Sequence, residues 1–245
     1  MVKSSKVNTK SQRVRDAVLT APHLIPVYLK DKSFNPKITT GIMAKMLPLR
    51  WGIEFECIGA IPGIIQMNIP QWGNESNKVC EFSQDTRTAD VENEIRISGR
   101  GYTHLTGLYN LLQHMKQCCQ IVKGGGIHIH INHSGYYADI NKMLVFFQQE
   151  CVLDKVYEIF GSQYKGIYNA KVAAWSKGSW VRITDNTIEF RIGELTFEYT
   201  EIVKILIALQ SLMKQAINES LPNHLKGKKR KELIGSKYKY PITIA

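Results

Sequence analysis

The chain has 245 residues, 44% hydrophobic and 22% charged, an ordinary globular composition that excludes a wholly disordered polymer. Its 32 Lys and Arg against 21 Asp and Glu give a net charge of +11, and no apolar run approaches the ~18 residues of a membrane span. Five cysteines without a CxxC pair, and no signal-like apolar leader, argue against a disulfide framework and point to a reduced, cytoplasmic setting.

Residues 1–48 read as a basic, loosely ordered arm: Lys3, Lys6, Lys10, Arg13 and Arg15 come first, Pro22 and Pro26 interrupt the stretch after them, and a short helix is expected before Pro48. The pattern tightens from Leu49. RWGIEFECIG (50–59) alternates with period two, the signature of a strand, with Ile53, Phe55 and Cys57 on one face and Glu54 and Glu56 on the other. A loop rich in Pro, Gly and Asn runs to about Asn77, and NEIRIS (93–98) alternates again, grouping Glu92, Glu94 and Arg96. Helical spacing begins at Thr103 (Leu105, Leu108, Leu111, Leu112, Met115, Cys119) and ends near the glycines at 124–126. GIHIHIN (126–132) sets Ile127, Ile129 and Ile131 against His128 and His130; an amphipathic helix comes next over 138–160. SWVRIT and TIEFRI (179–192) form two strands joined by a tight turn at Asp185 and Asn186, and a last helix spans 199–218. The expected class is therefore α+β, with one main domain over 49–220 and a basic tail over 221–245 that carries KGKKRKEL (226–233).

Four strands share one design, Ile or Phe on one face and charge or imidazole on the other. Pooled, they give a sheet face bearing Glu54, Glu56, Glu94, His128, His130, Glu189 and Arg191. A single such strand is read most simply as the wet side of an antiparallel sheet. Carboxylates crowded together without lysine, however, need compensating cations, and hard divalent metals with oxygen and imidazole ligands meet that need. Arg191, two residues from Glu189, adds a fork suited to phosphate. Metal with phosphate suggests ATP chemistry, although there is no P-loop and the triple glycine reads as a turn. His128, His130 and His133 also admit a zinc cluster, and the cysteines read as core.

GIEFE (52–56), GGIHIHI (125–131) and IEFRIGELTFEYTEI (188–202), in that order and with an acidic segment from Asp85 through EIRIS between the first two, resemble the amidoligase family, compact relatives of glutamine synthetase and glutamate–cysteine ligase. The likeness covers residues 50–218. It implies a glutamine synthetase-like fold: a curved, antiparallel-rich sheet with helices on one face and an acidic, metal-binding face opposite. It also implies two divalent ions (Mg²⁺ or Mn²⁺) and ATP, with an acyl phosphate that an amine converts to an amide. On that likeness Glu54 holds the ion at the ATP phosphates with His128 and Glu189, whereas Glu56 and Glu94 hold the ion near the acceptor, Glu92 being the alternative to Glu94. His130 faces phosphate or substrate, Arg191 clamps the phosphates, and Lys177 and Arg182 are further phosphate contacts that no motif fixes.

The acid and amine stay unassigned; a peptide, a protein, a cell-wall fragment or a modified nucleic-acid base all suit such an enzyme, and the compact basic build is compatible with a phage-encoded one in the host cytoplasm. Oligomeric state is equally open, although glutamine synthetase relatives often form rings. Two other readings stand beside the ligase. A non-catalytic, basic protein would use its tails on nucleic acid, and a zinc-dependent hydrolase would use His128 and His130. A guanidino kinase is related by fold, but the HxH strand speaks for the ligase.

Overall fold

The computed structural model describes residues 9–31, 41–43, 45–59, 80–84, 93–100, 104–121, 126–133, 139–160, 172–174, 181–184 and 186–221. Alternation dictates its centre. In Arg50–Cys57 (β1) every second residue is buried, Trp51, Ile53, Phe55 and Cys57, while the residues between them stay partly accessible. The apolar residues of Asn93–Arg100 (β3), Gly126–Asn132 (β4) and Thr187–Glu194 (β7) alternate likewise, although His128 and Glu189 on the outward side are also buried, so the four expected strands form at the expected places. Two short strands join them, Cys80–Gln84 (β2) and Val172–Ala174 (β5), and Val181–Ile183 (β6) completes the hairpin before β7.

Among the described residues these make one seven-stranded open sheet in the order β2, β3, β1, β4, β7, β6, β5. All neighbours are antiparallel except β5 and β6. The α+β class is thus met. β1 lies mid-sheet, with Glu54 level with Arg96 on one side and His128 on the other.

The apolar face is covered by helices. Leu105–Cys118 (α3) buries Leu105, Leu108, Leu111, Leu112 and Met115, and Tyr199–Ser220 (α6) buries a stripe from Ile202 to Ile217. Phe147 and Phe160 pack against Phe190 of β7, with ring centroids 5.8 and 6.4 Å away. Each such side chain, fully buried, stabilises the fold by about 1.5–3 kcal/mol relative to exposure. Two polar residues of α6, Gln210 and Ser220, are buried in this layer. Gln210 of α6 accepts a hydrogen bond from Leu49 N at 2.8 Å and donates one to Leu49 O at 3.0 Å, satisfying the backbone that leads into β1.

Two expectations are corrected. Residues 9–30 are not a loose arm but form Thr9–Thr20 (α1), a 3-10 turn at Pro22–Leu24 and Ile25–Lys30 (α2). Val14, Ala17 and Val18 make a short apolar stripe among basic neighbours, and the buried Tyr199 hydroxyl donates to Val18 O at 2.7 Å. The helix expected over 138–160 is two, Ile140–Gln148 (α4) and Glu150–Phe160 (α5). Asp139 caps the first through its side chain, and Gln149 leaves helical geometry at ψ 131°. That break shifts the buried stripe from Met143 and Phe147 to Val152 and Val156, so Cys151, on the unbroken stripe and read as core, is exposed. Cys57 is core as expected, Cys118 and Cys119 are half-buried, and the side chain of Cys80 lies outside the description. Residues 222–245, with the basic tail, also lie outside it. No helix among the described residues is long and apolar enough to cross a membrane.

The register yields a stability test. A Cβ on Gly99 of β3 would lie 2.2 Å from the Trp51 ring, whereas one on Gly52 meets nothing closer than 3.5 Å. Gly99→Ala is expected to cost at least about 2 kcal/mol in urea unfolding and Gly52→Ala less than about 1 kcal/mol; equal costs would contradict the β1–β3 register.

Candidate functional site

The polar side of the sheet gathers side chains from β1, β3, β4, β6 and β7 because the register places their outward residues level with one another. Glu54 is the hub. Its Oε1 is 3.0 Å from Arg96 Nε and 3.3 Å from His130 Nε2, while its Oε2 is 3.3 Å from His128 Nδ1. Burial raises the Glu54 carboxyl, but the hydrogen bond from His128 and the nearby His130 and Arg96 outweigh it and hold the group well below the usual carboxylate range. Glu54 is therefore ionised at any physiological pH.

Glu56 accepts a hydrogen bond from Gly126 N at 3.1 Å, and its other oxygen is 3.6 Å from His128 Nε2. The glycine that opens β4 thus lends its backbone to the site, and His128 stands between the two glutamates of β1. Glu189, buried on β7, takes Arg191 Nη1 at 3.3 Å on one oxygen and Arg182 Nη1 at 3.3 Å on the other; His128 Nδ1 is 3.8 Å away. Arg182 reaches it because β6 and β7 pair with Arg182 level with Glu189.

Ligand atoms of Glu54, His130 and Glu189 all lie within 4.8 Å of one another. His130 Nε2 is buried and makes no hydrogen bond, although a carboxylate oxygen is near it. An imidazole nitrogen desolvated without a hydrogen-bond partner is costly in a closed site and fits a nitrogen whose lone pair serves a cation. Two carboxylates with one imidazole form an oxygen-rich set that suits Mg²⁺ or Mn²⁺ better than zinc.

Of the expected residues, Glu54, Glu56, His128, His130, Arg182, Glu189 and Arg191 come together. His130, expected at phosphate or substrate, sits in the three-atom group, and His128, expected beside Glu54 and Glu189, lies near both and near Glu56 as well. His133, the third member of a zinc cluster, turns away: its ring Nε2 donates to Thr184 O at 2.9 Å, tying β4 to the β6–β7 hairpin. Glu94 stands level with Glu56 in the β1–β3 register, and its side chain is outside the description. Glu92 and Lys177 lie outside the described residues altogether.

Arg96 is the residue of this face that the strand patterns pointed to least. It shares the outward side of β3 with Glu94, but only the register brings it to Glu54. Arg96, Arg182 and Arg191 supply three positive charges against the three carboxylates of Glu54, Glu56 and Glu189, so arginine does part of the compensating work expected of metal. The balance is close to neutral. A divalent ion added to it makes the face net positive, which favours a polyanionic ligand.

No protein-family model matches this chain, and no curated protein matches it.

The Glu54 environment sets a pH dependence. Its carboxyl titrates near 4.5 when unfolded and well below that when folded, so its contribution is fully present above about pH 5 and is lost as pH falls through the unfolded value toward the folded one. In EDTA, the unfolding free energy of the wild type is expected to fall more steeply than that of Glu54→Gln between pH 4.5 and 3, by up to about 1.4 kcal/mol per pH unit, the slope of one proton. Parallel curves from chemical denaturation would contradict the ionised, hydrogen-bonded Glu54.

Proposed function

We propose that this protein is an ATP-dependent carboxylate–amine ligase with a glutamine synthetase-like catalytic sheet, its polar face holding divalent metal and the nucleotide phosphates. The observation that carries the reading is the meeting of Glu54, His130 and Glu189 within 4.8 Å, beside two guanidinium groups on Arg182 and Arg191. A hard divalent ion bound there supplies charge neutralisation for a transferring phosphoryl group. Glu54, Glu189 and His130 are its ligands; Glu56, with Glu94 on the neighbouring strand, serves a second ion near the acceptor.

Arg191 and Arg182 each use one terminal nitrogen on Glu189 and have further N–H donors for phosphate oxygens. Glu189 therefore orients both forks from a buried position. In the reaction, an oxygen of the acid substrate bonds to the γ-phosphorus as the bond to the bridging oxygen breaks and ADP leaves with the electron pair. The amine then attacks the acyl carbon, phosphate departs with its electron pair, and the nitrogen loses a proton. Glu56, in contact with His128, is the carboxylate placed to accept it. His128, His130 and Arg96 together keep Glu54 anionic and so preserve a ligand of constant charge.

The competing nucleic-acid reading rests on the basic termini, of which Lys10, Arg13 and Arg15 lie on α1 and residues 226–233 lie outside the described residues, and leaves the polar face without a task. The zinc reading loses His133 to Thr184.

Isothermal titration of a non-hydrolysable ATP analogue separates these readings. Binding is expected with Mg²⁺ or Mn²⁺, is lost in EDTA, and is weakened at least tenfold, about 1.4 kcal/mol, in Glu54→Gln and Glu189→Gln. Binding that ignores metal, or no binding with either ion, would overturn the ligase.

A further inference from the structure

The outer side of the helix layer carries a second cationic place. Ile207 and Lys214 of α6, Arg15 of α1, and Ile42, Lys45 and Met46 ahead of β1 line a cavity of about 310 Å³. That is near the lower end of the roughly 300–1,000 Å³ of small-molecule sites. Packing brings these residues together. Val14, Ala17 and Val18 are buried and leave Arg15 exposed; Met43 and Leu47 are buried and leave Lys45 exposed. Gln210, one turn before Lys214, ties α6 to Leu49 and so holds the approach to β1 against that helix.

The three cations have no acid to answer them. Among the described residues none of Arg15, Lys45 and Lys214 forms a salt bridge, and no carboxylate lines the cavity. Asp16, beside Arg15 in sequence, instead accepts a hydrogen bond from Gln12 Nε2 at 2.8 Å. Lys214 Nζ donates to Lys45 O at 3.4 Å, which joins the two lysine-bearing segments and leaves further N–H donors. The groove on the other side of Ser211 differs: it carries Lys155 and Lys204 but also Glu158, one turn from Lys155. A single exposed lysine is an ordinary solvated charge. Three like charges gathered from three segments around half-buried Ile42, Met46 and Ile207 repel one another, and a bound anion relieves that repulsion.

We infer that this cavity binds a phosphate monoester carried on an apolar chain. The Arg15 fork matches phosphate oxygens, and with the two ammonium groups it offers enough positive charge for a dianion; a single carboxylate would leave two cations uncompensated. The side chains of Ile42, Met46 and Ile207 cover the chain. A bare polyphosphate or a nucleic-acid backbone would meet the cations and leave those apolar walls unused. Arg15, Lys45 and Lys214 lie across the helix layer from Glu54, so the site does not depend on the ligase reading. A soluble phosphate ester and a lipid with a phosphate monoester headgroup present the same chemistry to it.

The test uses the whole protein in EDTA and three probes, hexyl phosphate, inorganic phosphate and hexanoate, followed by isothermal titration. Hexyl phosphate is expected to bind at least about tenfold more tightly than either of the others. Arg15→Gln and Lys214→Gln, both at exposed positions, are each expected to weaken it at least about fivefold, whereas Lys204→Gln in the neighbouring groove changes it less than about twofold. Ile207→Ser is expected to narrow the advantage of hexyl phosphate over inorganic phosphate. No binding of hexyl phosphate, or binding that Arg15→Gln and Lys214→Gln leave intact, would overturn the site; the latter would place the ester at Arg182 and Arg191 instead. Hexanoate or inorganic phosphate bound as tightly as hexyl phosphate would overturn the ligand class. Sedimentation with phosphatidylcholine vesicles, with and without phosphatidic acid, separates the two sources. Pelleting that needs phosphatidic acid and is lost in Arg15→Gln supports the site with a lipid ligand, and hexyl phosphate binding without pelleting supports it with a soluble one.

Discussion

The convergence of Arg96, His128 and His130 on the Glu54 carboxylate is the constraint on which the rest of the polar face depends. It requires β1 to lie between β3 and β4 in one register, since a slip of one residue would send every outward side chain into the helices. It also requires the carboxylate to stay ionised although half-buried, which the surrounding donors ensure. Fold and site are therefore one pattern. The isoleucines and phenylalanines that hold the sheet to α3, α4 and α6 fix, by alternation, which side chains face the other way.

The same arrangement gives the face its electrical character. Glu189 is buried with an arginine on each oxygen, and Glu54 has one arginine and two imidazoles. Charge pairs of this kind are of little value as stabilisers, because desolvating both partners offsets much of their attraction. They are better understood as a preorganised set of donors and acceptors, held in place by neighbours before a ligand arrives. The helices on the other face provide the rigidity. Gln210 fixes the entry to β1 and Tyr199 fixes α1 against α6.

Much of this was legible in the sequence, and the reasons are physical. Strong period-two alternation in GIEFE, EIRI, GIHIHI and TIEFRI has one solution, a half-buried strand, so β1, β3, β4 and β7 and their outward residues could be read directly. What could not be read is register. Nothing local says that Arg96 meets Glu54, or that His130 joins Glu54 and Glu189 in one group. The N-terminal helices were hidden because Val14, Ala17 and Val18 are a weak stripe among basic residues, whose strength comes from the partner helix. The break at Gln149 was invisible for a related reason: no glycine or proline marks it, and the apolar spacing runs through the break with a change of phase. β2 and β5 are short edge strands and leave little trace in composition.

The most direct measurement is anomalous diffraction from crystals grown with MnCl₂, because it locates the ion independently of substrate. A manganese peak within about 2.0–2.3 Å of Glu54, Glu189 and His130 Nε2, the range of hard-cation bonds, is the result expected of a metal-dependent phosphoryl-transfer face. Manganese elsewhere in the crystal with none at that position would contradict it, and the polar face would then be a self-compensated ion network.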